Sequence, residues 1–395
     1  MKQVLRRSGM VLCRYITHTA LLFGIQWISP EKEESFVEEN QTLCYFLGAN
    51  APKGYYSRFD QLFNDREESR CFLLKGGPGT GKSTMLKKIG AVLREKGLST
   101  EEIHCTADIA SLDAVLTSDR RISVLDATLP HAVEPRYPGA YETTVNLSDC
   151  WDEEVLREQS SEIRRLVDRN RELHEKARHY LSASALLFEE AAALSQNAIQ
   201  PEKVSRTALR LCSREIGRKS GHRGEEKIRF LSAVTENGVF MFEKTARLLA
   251  DKIYVVEDDC GAVSRIFMNT VRRYALENGF DIVTCRCSLF PAERNEHIFI
   301  PSLHLGFMTS NKRHPVEGLP YRFIHARRFT DDKKAAQHKL RLRFTLRSAT
   351  ELIGEAADCM KEAKRVHDEL ESLYLPAMDF SKVEEKYQAF LKKLE

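Results

Sequence analysis

The spacing of apolar and polar residues changes period several times along the chain, and each change predicts an element. Cys71-Phe72-Leu73-Leu74 is continuously apolar and runs into glycines, the pattern of a strand buried on both faces. Glu102-Ile103-His104-Cys105 and Arg121-Ile122-Ser123-Val124-Leu125-Asp126 read as two further short strands, and Met85 to Lys96 reads as a helix. After Trp151 glycine and proline become scarce. Leu156, Ile163, Leu166, Leu173, Ala177, Tyr180, Leu187 and Leu194 then recur at three-four spacing, which predicts one arm of a helical hairpin. Pro201 ends it, and a shorter helix is expected from Glu202 to about Arg218. A second arm carries Leu346, Ala349, Ile353, Ala356, Met360, Ala363, His367 and Leu370; Pro376 stops it, and Ser381-Lys382-Val383-Glu384 has the form of a capping box for a last helix.

The two stretches are similar enough to predict a duplication. Asp251 to Gly261 can be laid on the strand and loop around Cys71 to Gly79; Cys105 pairs with Cys285, His131 with His314, and Lys203-Val204 with Lys382-Val383. The expected organisation is a 1–40 extension, a 41–150 nucleotide-binding module, a 151–218 helical arm, a 219–226 linker, a 227–330 degenerate module and a 331–395 C-terminal arm. In the extension, Val11 to Ile28 is apolar enough to suggest a membrane segment, but Arg14 inside it costs up to ~3 kcal/mol on insertion scales. A surface helix, a leader or an over-long start is expected instead, and no membrane partner.

The chemistry concentrates at Gly76-Gly77-Pro78-Gly79-Thr80-Gly81-Lys82-Ser83-Thr84, which follows a strand and opens a helix. GxxxxGK(S/T) in that setting is a phosphate-binding loop: glycines let successive N–H groups curl round an anion, and the helix N-terminus adds its dipole. Lys82 is expected to reach the β and γ phosphates, and Ser83 to ligate Mg²⁺ with Asp126, at the end of a neighbouring strand, as the second metal-holding residue. Ala127 follows Asp126 where many mechanical ATPases carry Glu, which predicts slow hydrolysis. Asp108, Asp113, Thr128 and His131 are further candidates for the strand ends that face the γ-phosphate. In the second copy, Asp258, Asp259, Val263, Ser264 and Arg265 stand opposite Gly76, Gly77, Gly81, Lys82 and Ser83, so that half is expected to be chemically silent. Arg265 or Arg313 is a candidate arginine finger for the first site.

Composition narrows the partners. The 395 residues are 42% hydrophobic and 30% charged, which excludes a disordered or fibrous chain, and the net charge of +3 gives no general reason for a nucleic-acid partner. Arg327, Arg328, Lys333, Lys334, Arg341, Arg343 and Arg347 form a modest basic patch that reads as a solvated face. Ten cysteines without a CxxC pair fit a reducing cytoplasm better than a disulfide framework. The residues therefore predict an α/β protein of P-loop NTPase type, with a three-layer parallel sheet in each of two copies, that binds ATP or GTP with Mg²⁺. A small-molecule or nucleotide kinase using Asp108 or Asp113, and a nucleotide-sensing scaffold whose arms bind a protein partner or a second copy, are the alternatives.

Several stretches together resemble an uncharacterised family of bacterial tandem P-loop ATPase-like proteins. They are Tyr45 to Tyr56, Lys75 to Thr84, His104-Cys105 with Ser111-Leu112-Asp113, Asp126 to His131, His367-Asp368-Glu369-Leu370-Glu371 and Ala377-Met378-Asp379-Phe380. The resemblance runs from about residue 45 to the end. It implies two P-loop modules, each followed by a helical arm, and ATP binding or hydrolysis without a defined substrate. Family members often keep a usable loop in both halves, and Asp258 to Arg265 departs from that pattern.

Overall fold

The computed structural model describes residues 42–63, 69–218, 221–312, 314–318 and 320–394. The apolar run Val11 to Ile28 and Arg313 lie outside them. The described residues form one compact unit. Among the described residues, no helix is long and apolar enough to cross a membrane.

Two six-stranded sheets organise the chain. The first contains β1 (Thr42–Tyr45), β4 (Arg70–Lys75), β5 (Thr100–His104), β6 (Leu112–Thr117), β7 (Ile122–Asp126) and β8 (Glu142–Asn146), in the order β1-β5-β6-β7-β4-β8. The second contains β9 (Glu226–Arg229), β12 (Lys252–Glu257), β13 (Ile282–Arg286), β14 (Asn295–Ile300), β15 (Leu305–Ser310) and β16 (Arg322–His325), in the order β9-β13-β14-β15-β12-β16. The orders match strand for strand. A hairpin accompanies each sheet: β2 (Gly48–Ala51) with β3 (Gly54–Ser57), and β10 (Ser232–Thr235) with β11 (Gly238–Met241).

The sheets are mixed, not parallel as the sequence suggested. β6 runs antiparallel to β5 and β7, and β14 antiparallel to β13 and β15, while the other pairs are parallel. The reason is the shortness of residues 105–111 and 118–121: a parallel return needs a crossover of about a dozen residues or more. The layering also differs from the expected three. Phe72 and Leu74 of β4 face outward onto α1 (Lys82–Glu95), whereas Cys71 and Leu73 face inward into a core shared with Ile253 and Val255 of β12. Tyr254 and Val256 in turn face outward onto α6 (Ala262–Glu277). Each sheet is apolar on both faces because one covers helices and the other covers its twin, giving a helix–sheet–sheet–helix sandwich.

The arms are exchanged between the halves. After the short α2 (Glu153–Glu158), α3 (Ser160–Gln196) leaves the first half and delivers α4 (Pro201–Glu215) onto the outer face of the second sheet. Past α5 (Glu243–Leu249) and the short α7 (Asp332–Gln337), α8 (Lys339–Tyr374) returns and delivers α9 (Phe380–Leu394), whose Tyr387 and Phe390 pack against Phe72, Leu74 and α1. The two long helices pack antiparallel. Asn170 donates to the Ala363 carbonyl at 2.8 Å and Ser184 to the Ala349 carbonyl at 2.7 Å. Ala349 follows Asn170, and Ala363 follows Ser184, by the same 179 residues, so the two contacts are one contact repeated about a pseudo-two-fold axis. Phe46 and Phe230 exchange both main-chain hydrogen bonds with each other, at 2.9 and 3.0 Å. The predicted capping box is replaced by Asp379, whose carboxylate accepts from the N–H groups of Ser381 and Lys382 at 3.1 and 3.3 Å. A carboxylate one residue before the helix reaches these orphan donors more directly than the Ser381 hydroxyl.

Candidate functional site

β4 ends at Lys75, and the Gly-rich loop carries the chain into α1 through two left-handed glycines, Gly79 (φ 68°) and Gly81 (φ 83°). Those backbone angles disfavour any side chain, which is why the sequence places glycine there. The Thr80 hydroxyl donates to the Gly77 carbonyl at 2.9 Å, and Lys82 Nζ folds back to donate to the Gly76 and Gly77 carbonyls, both at 2.8 Å. Lys82 Nζ also stands 3.6 Å from Asp126 Oδ2, at the end of the adjacent parallel strand β7. The other Asp126 oxygen accepts from the Thr128 amide at 2.9 Å and its hydroxyl at 2.6 Å. Ser83 Oγ accepts from the Leu112 N–H at 3.0 Å. Gly76, Gly77, Gly79, Gly81, Lys82, Ser83 and Asp126 are thus gathered at one end of the first sheet.

The further candidates divide. Asp113 lies within β6, not in a loop; burial, with Asp126 nearby, pushes its carboxyl well above the usual aspartate range. His131 is 5% exposed, stacks on Phe59 at 4.3 Å between ring centroids, and its Nδ1 stands 4.0 Å from Asp113. Burial lowers the His131 pKa and so disfavours the charged ring. Asp108 belongs to a turn: its carboxylate accepts from Ala110 N–H at 3.1 Å and the Ser111 hydroxyl at 2.8 Å. Thr128 is an Asp126 partner. Arg265 sits exposed on α6, on the outer side of the second sheet. In the basic patch, Arg327, Arg341 and Arg347 pair with Asp332, Glu190 and Glu351.

Three contributors to the site lie far away in sequence and carry no local signal. The last turns of α8 lie over the loop. Gly79 N–H donates to Glu371 Oε1 at 3.3 Å, and a Cβ added at Gly77 would meet Trp151 Cζ3 at 3.0 Å and Tyr374 Cε1 at 3.5 Å. Bonding to His367, opposed by burial and assisted by Gly79 N–H and Lys82, lowers the Glu371 pKa. A carboxylate from the returning arm therefore occupies part of the loop's donor set.

The second copy has the same strand–loop–helix path with different chemistry. Lys252 follows Arg70 by 182 residues, while the left-handed N-cap Gly261 follows its counterpart Gly81 by 180. The loop is two residues shorter than the first, so Ala262 and Val263 stand opposite Lys82 and Ser83, replacing the Ser264 and Arg265 expected there. Asp258 fills its own loop by accepting from Cys260 N–H at 3.2 Å and Ser264 N–H at 2.8 Å. At the counterparts of Asp113 and His131, Glu296 and His314 Nε2 close to 2.8 Å.

No family model, curated protein or solved structure matches the chain.

Proposed function

We propose that the Gly76–Thr84 loop binds a nucleoside triphosphate, ATP or GTP, with Mg²⁺, and that slow hydrolysis there sets the position of the exchanged arms. One observation supports this reading above the others: a glycine loop with two left-handed residues, opening a helix, holds a lysine 3.6 Å from a strand-end aspartate. The residues fit the group. Gly79 N–H already takes an anionic oxygen, from Glu371. Lys82 would turn from the Gly76 and Gly77 carbonyls to the phosphates, offsetting charge that develops on them, and backbone N–H groups of the loop would hold the remaining oxygens. Ser83 and Asp126 would hold Mg²⁺, which polarises the phosphates when bound.

The missing Glu after Asp126 supports slow turnover, and also the reading as a sensor that binds without turnover. The test is thermal unfolding with and without Mg-ATP, together with ADP release. At a ligand concentration about 100 times Kd, wild type gains about 2.7 kcal/mol. Lys82→Ala abolishes the gain; an equal gain in Lys82→Ala defeats the assignment.

A further inference from the structure

We propose that Cys44, Glu102 and His104 bind a zinc-class divalent cation, at a site separate from the glycine loop and independent of it. Cys44 on β1 and Glu102 on β5 are direct partners across two parallel strands, and His104 follows two residues on. The thiol sulfur, a carboxylate oxygen and a ring nitrogen all lie within 4.8 Å of one another, the one such set among the described residues. With ligand bonds of about 2.0–2.3 Å, atoms around a tetrahedral zinc stand roughly 3.5 Å apart, so closure needs about an ångström of movement.

The surroundings are those of a supported ligand set. His104 Nδ1 is bonded to the Ile109 carbonyl at 2.8 Å, which makes Nδ1 the protonated nitrogen and leaves Nε2 with its lone pair. Nε2 is buried and has no partner. Glu102 Oε1 accepts from Arg94 at 2.5 Å, which fixes the carboxylate. The Cys44 backbone is pinned at both ends by Thr245: its N–H donates to the Thr245 hydroxyl at 2.8 Å, and that hydroxyl donates to the Cys44 carbonyl at 3.0 Å. A Phe242 ring, 4.8 Å from the His104 ring, walls the site. The second copy lacks the set, because Ile228 and Thr284 occupy the matching strand pair. A sulfur, a nitrogen and a single carboxylate select a borderline cation over Mg²⁺ or Ca²⁺, and three protein ligands leave a fourth position for water.

The test is titration of the full chain with Co²⁺, whose thiolate complex has a characteristic charge-transfer absorption. One equivalent should generate the band, Zn²⁺ should displace it, Cys44→Ser and His104→Gln should abolish it, and Cys105→Ser should keep it. A second measurement needs no variant: Zn²⁺ should slow alkylation of Cys44 in the native wild-type chain at least tenfold, mapped by peptide mass spectrometry. Absence of the band, its survival in Cys44→Ser, or unprotected Cys44 at saturating Zn²⁺ overturns the proposal.

Discussion

Two buried acids show how position, not residue type, sets a carboxyl group's contribution. Glu101, 2% exposed, accepts from Arg229 Nε and Nη2 at 3.0 and 2.7 Å and from Lys227 Nζ at 2.8 Å, joining the halves. Burial raises its pKa, but Arg229 and Lys227 outweigh this and hold it at about 2, below the ordinary 4.5. A depressed carboxyl stabilises the fold above its unfolded value, so this contribution is complete above pH 4.5 and lost as pH falls toward about 2. Arg229→Ala, which leaves Glu101 buried and with Lys227 alone, should cost about 3–5 kcal/mol by urea denaturation at pH 7. Asp113 has the opposite sign. Its raised carboxyl weakens the fold as pH climbs past the ordinary aspartate value, so Asp113→Asn should stabilise the chain at pH 7 and show no gain at about pH 3. Destabilisation by Asp113→Asn at pH 7 would mean that the carboxylate is used in its charged form.

Helix α8 is where an element, more than any one of its residues, matters. It carries Glu371 and Tyr374 onto the glycine loop of the half that it does not follow in sequence, so an anion bound there must displace the arm's last turns or share the loop with them. Removing the like charge should favour the anion: Glu371→Gln is expected to tighten Mg-ATP binding about fivefold, or about 1 kcal/mol for a partly exposed pair, read by calorimetry. Unchanged affinity would show that the arm and the phosphates do not compete.

The exchange of α4 and α9 packs each half against a helix that follows the other half in sequence. Phe390 is 2% exposed and meets Phe72 edge-on at 4.7 Å between centroids, although 318 residues separate them in sequence. Phe390→Ala should therefore cost about 3–5 kcal/mol, and circular dichroism and tryptophan fluorescence should still report one coincident transition. Separate transitions would show that the halves unfold independently. The periodicities of Leu166 to Leu194 and of Leu346 to Leu370, the apolar run at Cys71 to Leu74 and the glycine spacing at 76–81 were legible because each is a local pattern dictated by helix, strand or turn geometry. The duplication was legible from residues shared between distant segments, but its register was not: Gly261 answers to Gly81, not Gly79, and Cys287, not Cys285, answers to Cys105. Three features were not: the antiparallel β6, the sheet-on-sheet core and the arm exchange, along with Glu371, Tyr374 and Trp151 at the loop. A residue's neighbours along the chain fix which of its faces is apolar, but not which distant surface will cover that face. Here the twin sheet and the returning helices provide the cover, and only their packing in three dimensions selects it.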